Sequence, residues 1–274
     1  MSKITVTTIA GLTSGGDANK VKIESGDDLE VVSGDLTVDT STLKVDSSNN
    51  RVGIGTASPS SRIHIGDSGN AGEEAIQFSN NAVQGFIGIE GSSGNRFLGS
   101  AVNNMFIGTT AADGLELATN NNVRMTIDSS GRVTMPSQPV FFATAEANIP
   151  LSNSYSELTA FSNGQVNVGT HYNTSNGRFT APIAGTYQFA VASIGNQNAD
   201  VYRFRPYKNG SSLNNYELRI QTEGGAYGTN GEFCFIVTLA VNDYISIFGY
   251  SDGSTNAYGD TNYRYSYFRG HLMS

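Results

Sequence analysis

The sequence predicts an all-β protein, a β-rich fibrous shaft followed by a two-sheet sandwich. Three observations carry that prediction. No window holds apolar residues at i, i+3, i+4 and i+7, whereas short alternating runs recur along the chain. Of the 27 aromatic residues, only four, all Phe, fall in residues 1–135, and all 13 Tyr come later. The 32 Gly divide 18 to 14, so the first half is rich in Gly and poor in rings. Only the second half carries the bulky residues of an ordinary core.

In the first half the runs are three to six residues long, bounded by Asn, Ser, Asp or Gly. They are Leu36–Val38, Leu43–Val45, Arg51–Ile54, Arg62–Ile65, Phe86–Ile89 and Val123–Ile127. Strands this short bury little apolar area within one chain. A weak repeat joins two of them: Val45-Asp46-Ser47-Ser48-Asn49-Asn50-Arg51-Val52 is echoed by Ile127-Asp128-Ser129-Ser130-Gly131-Arg132-Val133. A strand-turn unit that cannot cover its own apolar face stacks on copies of itself or on other chains. The bland alternative is a flexible linker, but a linker has no use for alternating Ile and Val.

The run Arg51-Val52-Gly53-Ile54-Gly55-Thr56-Ala57-Ser58-Pro59 lacks the third Gly of a dinucleotide fingerprint and the Lys of a Walker loop, and no helix follows it. Gly here suits tight packing, with Pro59 closing the unit. Together with Ser60–Ile65 it resembles the Val-Gly-Ile-Gly-Thr-x-x-Pro repeats of bacteriophage tail fibres, over residues 35–66. That resemblance implies a homotrimeric shaft, placed at residues 35–136. Residues 1–34 are then the segment expected to dock on a phage tail, baseplate or nozzle protein.

Residues 137–274 form the expected head. Phe161, Asn167, Tyr172, Phe179, Gly185, Tyr187 and Phe189 follow one another at a characteristic spacing, with Val191 where an aromatic is expected. Lys208-Asn209-Gly210, Leu239–Tyr244 and Phe268-x-Gly270-x-Leu272 extend the pattern. This is similar to the globular head of complement C1q, a tumour-necrosis-factor-like fold. The resemblance implies a ten-stranded jelly roll that forms a homotrimer. The residues agree independently. Tyr216–Gln221 alternates as a strand with one wet face. Phe233–Ala240 is apolar on both faces: Phe233, Phe235, Val237 and Leu239 against Cys234, Ile236 and Ala240. The last strand is read with Phe268 and Leu272 on one face and Tyr263, Tyr265 and Tyr267 on the other. A sandwich sheet apolar on both faces needs a second cover, so these three Tyr are assigned to a trimer interface. The alternative is that they are ordinary solvent-facing strand residues.

Antiparallel alternation sorts the loops. Turns at 182–186, 208–213 and 240–243 fall at the end holding the head's termini, and loops 195–200, 223–232 and 251–262 at the distal end. The distal loops supply the receptor-binding candidates: Asn196, Asn198, Asp200, Tyr227, Asn230, Asp252, Asn256, Tyr258 and Asp260. Amides, carboxylates and Tyr rings grip hydroxyl-rich sugars and protein epitopes alike, although such residues populate any turn. Asp252, Asn256 and Asp260 could also offer oxygens to calcium, but without a recognised spacing, and no metal or cofactor is assigned.

Composition narrows the function. No apolar run reaches membrane-spanning length, and the opening residues show no secretory signal. One Cys and three separate His have no zinc spacing. The net charge is −8, with −6 of it in residues 1–135, and no basic stripe suits nucleic acid. Nothing marks a nucleophile or a carboxylate pair, so no enzyme is expected. The reading is a phage tail fibre, assembled in the host cytoplasm and carried on the virion, that binds a bacterial surface glycan or outer-membrane receptor. A glycan depolymerase and a C1q-like structural protein or adhesin without its own host receptor are the alternatives.

Overall fold

The computed structural model describes residues 36–38, 42–66, 71–92, 96–195, 201–222, 229–253 and 255–274, and all its regular elements are strands. The residues divide into two compact units between Asp113 and Gly114.

In the first unit, β1 (Leu36–Val38), β2 (Leu43–Asp46), β3 (Arg51–Ile54) and β4 (Ile63–Ile65) form one sheet in chain order. The first three strands are antiparallel and β4 joins β3 in parallel. Parallel partners ordinarily need a crossover of a dozen or more residues. Residues 55–62 suffice here because the return path is only one four-residue strand, about 13 Å. Gly55 turns the chain at φ +79°. The Arg51 guanidinium donates to the Pro59 carbonyl at 2.8 Å, closing the loop as the sequence implies.

A second sheet of this unit is the meander β5 (Glu74–Ser79), β6 (Gln84–Ile89) and β7 (Met105–Thr109). On one face Phe86 and Phe106 are buried, Phe97 packs edge-on against Phe106, and the Arg96 guanidinium sits 3.9 Å above the Phe86 ring. Gly88 leaves the space that Phe106 occupies. The opposite face is apolar and bare. Register aligns Ile76, Ile87 and Ile107 in one row and Ile89 with Met105 in the next, with Phe78 beyond them. All are exposed, Phe78 by 61% and Met105 by 71%.

The second unit opens with β8 (Leu115–Thr119), β9 (Asn122–Ile127) and β10 (Val133–Thr134), which group with the head residues. Asn120 and Asn121 both take positive φ, the two-residue turn that suits a twisted hairpin. The sequence repeat is real in three dimensions. Asp46 Oδ1 accepts from the Asn49 amide, and Asp128 Oδ1 from the amides of Ser130 and Arg132. In each hairpin the residue before Arg, Asn50 or Gly131, is left-handed.

The sandwich follows: β11 (Val140–Thr144), β12 (Ser156–Glu157), β13 (Asn163–Val168), β14 (Tyr172–Asn173), β15 (Arg178–Thr180), β16 (Gly185–Gly195), β17 (Val201–Lys208), β18 (Ser211–Ser212), β19 (Leu218–Gln221), β20 (Asn230–Leu239), β21 (Tyr244–Ser251), β22 (Ala257–Tyr258) and β23 (Tyr267–Leu272). The first sheet runs β13-β11-β23-β16-β20, with β22 on β16. The second runs β14-β15-β21-β17-β18, with β12 on β21 and β19 on β17. Among the described residues the sandwich thus carries nine strands of three residues or more and the four two-residue pieces β12, β14, β18 and β22, where ten strands are expected.

Phe189 sits at the centre of the core, 1% exposed, against the rings of Phe141, Phe179, Tyr187, Phe235 and Phe268. These rings come from both sheets, so the aromatic spacing in the sequence is the sandwich core itself. The Tyr172 hydroxyl is satisfied by the Phe161 carbonyl at 2.8 Å, and Asn167 pins the Tyr172 backbone through both ends of its amide. Val191 is fully buried and fills the place where an aromatic is expected.

The register sorts the loops as anticipated. Gly185 pairs with Leu239, Val140 with His271, and Lys208 with Ile245, at the end holding the head's termini. Ile194 pairs with both Asn230 and Tyr258, and Tyr202 with Ser251, at the other. At the first end, Asn209 and Gly210 form the tight turn and Asp243 ties it to the next one. Asp243 accepts from Lys208 (2.8 Å), Asn209 (2.7 Å) and the Ala240 amide (2.7 Å).

Phe189→Ala is expected to destabilise the protein by about 3–5 kcal/mol, read as a lower midpoint of urea unfolding. Hydrogen bonds from Lys208, Asn209 and Ala240 hold the Asp243 carboxyl down at about 2. Its contribution is therefore full above the ordinary carboxylate value near 4 and is lost as pH falls from there through about 2. Thermal melts of Asp243→Asn against wild type should differ most near neutrality and converge toward pH 2.

Candidate functional site

The distal loops hold the predicted binding residues. Asn196, Asn198, Asp200 and Tyr227 lie outside the described residues; the other five are placed. Asn230 opens β20 and is exposed. The Asp252 carboxylate accepts from the Val201 amide at 2.7 Å and so ties its loop to the start of β17. Neighbouring Thr255 shares its hydroxyl with Tyr202 (2.9 Å) and Ser251 (3.2 Å), which leaves Asn256 exposed on a tied backbone.

Tyr258 and Asp260 act together. The Tyr258 hydroxyl donates to Asp260 Oδ2 at 2.8 Å, and Asp260 Oδ1 accepts from the amides of Asn262 (2.6 Å) and Tyr263 (3.0 Å). These bonds, the Asn262 amide foremost, hold the Asp260 carboxyl below its usual value. Gly259 lies so close to Ala147 that a Cβ would strike the Ala147 carbonyl oxygen. Ser266 closes the loop, donating to the Tyr258 carbonyl at 2.5 Å. Among the described residues no group of three or more His, Cys, Asp or Glu is gathered as for a metal ion. Both placed Asp carboxylates accept from backbone amides, Asp252 from the start of β17 and Asp260 from its own loop.

One strand assignment is corrected. Tyr263 and Tyr265 do not belong to the last strand, which begins at Tyr267. The Asp260 turn bends the chain before them, so the alternation counted backwards from Phe268 stops at Tyr267. Instead Tyr263 and Tyr265 stack at 5.3 Å, Tyr265 lies 6.1 Å from Tyr258, and the two are 58% and 45% exposed. The distal end thus presents a patch of Tyr rings. Beside it is a cavity of about 310 Å³ lined by Asn230, Glu232, Arg264, Tyr265 and Tyr267, of which sequence reasoning missed Glu232 and Arg264. Burial, then Glu232, pushes the Tyr267 phenol up to about 12.

The outward face of the first sheet is the second feature. Register places Phe142 beside Val166 and Arg269, Ala190 beside Cys234 and Arg269, and Gln188 beside Ile236 and His271. Phe142 packs on Tyr267 at 5.4 Å, and a cavity of about 430 Å³ opens between Phe142, Val166, Ala190, Cys234 and His271. Ile236 is 49% exposed and Cys234 is exposed. The two-faced apolar character read from Phe233–Ala240 is therefore observed: Phe235 and Leu239 enter the core while Cys234 and Ile236 face outward.

Residues 140–273 match the family model described as the C1q domain. Among solved structures the chain is similar to the globular domain of zebrafish complement 1qA protein, at 16% identity and a TM-score of 0.37, covering 50% of this chain and 98% of that one. No curated protein matches the chain. The likeness to the C1q domain thus spans residues 140–273, just under half of a chain whose described elements are all strands.

Proposed function

We propose that the protein is a trimeric fibre with a recognition head, specifically a phage tail fibre that attaches the virion to a bacterial surface. The observation that carries the reading is uncovered apolar sheet surface in each compact unit. Ile76, Ile87, Ile107 and Met105 face outward in one, and Phe142, Val166 and Ile236 in the other. Monomers rarely leave such continuous patches in water, and C1q domains commonly form trimers. In this reading residues 1–34 engage the tail, residues 35–136 span the gap, and the distal loops of three heads meet a surface glycan or outer-membrane receptor. Three weak sites on one fibre gain avidity against a repetitive surface. Tyr267, on the outward sheet face, belongs to the subunit contact; Tyr263 and Tyr265, beside Tyr258, belong to the receptor patch.

Light scattering of the full chain should give about three times its 29.0 kDa mass. Ile236→Glu, which places a charge on that face without touching the core, should lower the mass while the far-ultraviolet spectrum stays unchanged. A monodisperse wild-type monomer at micromolar concentration would reject the trimer. For the tip, Asn256→Ala with Tyr263→Ala in the full chain should reduce attachment to host cells at least about tenfold. Wild-type attachment by that variant would remove the distal patch from recognition. If the protein binds no bacterial surface at all, a structural C1q-like role takes its place.

A further inference from the structure

The β1–β4 sheet is covered on the face that least needs cover. Register places Val45, Val52 and Ile63 side by side in one row, and Val38, Leu43, Ile54 and Ile65 in the next. These apolar side chains share one face, because residues in register point to the same side and alternate along each strand. Lys44, Gly53 and His64 form a row on the other face, flanked by the Asp46–Arg51 pair. Val38 is 50% exposed, Ile54 45% and Ile63 68%, so the apolar face is the bare one.

The cover that the described residues provide lies on the polar side. The loop 55–62, which carries β3 into its parallel partner β4, packs on Gly53. A Cβ at Gly53 would strike the Thr56 carbonyl oxygen and touch Pro59. Thr56 and Pro59 are both buried. The Arg51 guanidinium holds the Pro59 carbonyl at 2.8 Å, and the Ser60 amide donates to His64 Nδ1 at 3.3 Å. Gly53 therefore admits the crossover on one face, while its neighbours Val52 and Ile54 turn to the other. A sheet of three- and four-residue strands gains little stability with its apolar face left in water.

We propose that this apolar face meets the same face of two further copies of the chain on a three-fold axis, with the loop 55–62 on the outside of the fibre. The proposal rests on the trimer reading and adds which side of the sheet is the inside. Area and charge choose a copy of this chain as the occupant. The bare face offers roughly 400 Å², short of the ~800 Å² per partner of a stable contact, but with the Ile and Met rows of the β5–β7 meander the total reaches roughly 1,000 Å². A partner that gains from both must present two apolar sheets in the same order, as a copy does. The apolar face carries no charge, so copies meet there without repulsion, although residues 1–135 hold −6. The opposite face would set Lys44 against Lys44 and Arg51 against Arg51. In a closed symmetric assembly a surface meets its own copies only on the axis, which fixes the placement.

The test is crosslinking of the full chain with a short bismaleimide. Cys234, the one cysteine of the sequence, is first changed to Ser. A single thiol is then placed on the bare face by Ile63→Cys, or on the crossover loop by Ser58→Cys; both positions are exposed. Ile63→Cys should give a two-chain product on a denaturing gel, insensitive to dilution and at least about fivefold more abundant than from Ser58→Cys. That product should level off at about two-thirds of the chains, because three thiols around an axis give one pair and one remainder. Ile63→Glu should raise the chain concentration at which the trimer half dissociates at least about tenfold, and Ser58→Glu less than about twofold. Equal linkage at the two positions, in a preparation that light scattering shows to be trimeric, overturns the proposal. So does an Ile63→Cys thiol that is shielded from a monofunctional maleimide and yet unlinked, since the cover then comes from the same chain. A monomeric wild type rejects the trimer reading itself, so the two failures are told apart by mass.

Discussion

Burial of sheet faces governs this molecule. A β-sheet has two faces, and a single chain of this composition can cover only some of them. In the sandwich the inner faces are closed by rings around Phe189, and the outward face of the first sheet keeps Phe142, Val166 and Ile236 in view. In the β5–β7 meander Phe97 and Arg96 close one face, while the Ile rows on the other have no cover within the described residues. The hydrophobic effect rewards removal of such area from water at about 25 cal/mol per Å². The described residues do not supply the remaining cover, and the trimer proposal rests on that constraint.

Polar side chains are used differently at the two ends of the head. Asp243 and Asn209 knit adjacent turns at the end near the head's termini, and Asp252 and Asp260 stiffen the distal loops. Carboxylates that look like ligand donors in a sequence are here hydrogen-bonded within the head, Asp252 to the Val201 amide and Asp260 to the amides of Asn262 and Tyr263. The described residues of the distal end present Asn amides and the faces of Tyr263 and Tyr265, with Glu232 and Arg264 lining the cavity beside them.

How much of this was legible in the sequence depended on the range of the interaction. Local signals translated well. The six short runs of the first half all became strands, and the Asp-Ser-Ser repeat became two hairpins closed in the same way. The aromatic spacing from Phe161 to Phe189 marked the core, because alternation and burial coincide in a half-covered sheet. The failures came where long-range bonds override alternation. Counting back from Phe268 carried the strand through Tyr263, but the Asp260 turn and the Ser266 bond to Tyr258 end it at Tyr267. The cavity beside Tyr265 was invisible for the same reason, since it joins Arg264 to Asn230 and Glu232 through sheet pairing. That Arg203 pairs with Arg219 follows from the register of β17 on β19, which no spacing in one strand reveals.

The two self-closed hairpins have a consequence for how such a chain can change over time. In each, the Asp that ends one strand captures the amides of the turn, so the geometry is settled within a few residues and owes nothing to the rest of the chain. A segment that carries its own instructions can be duplicated, deleted or exchanged between genes without disturbing the register of its neighbours. A protein assembled from such segments is free to vary in reach while its recognition domain stays constant.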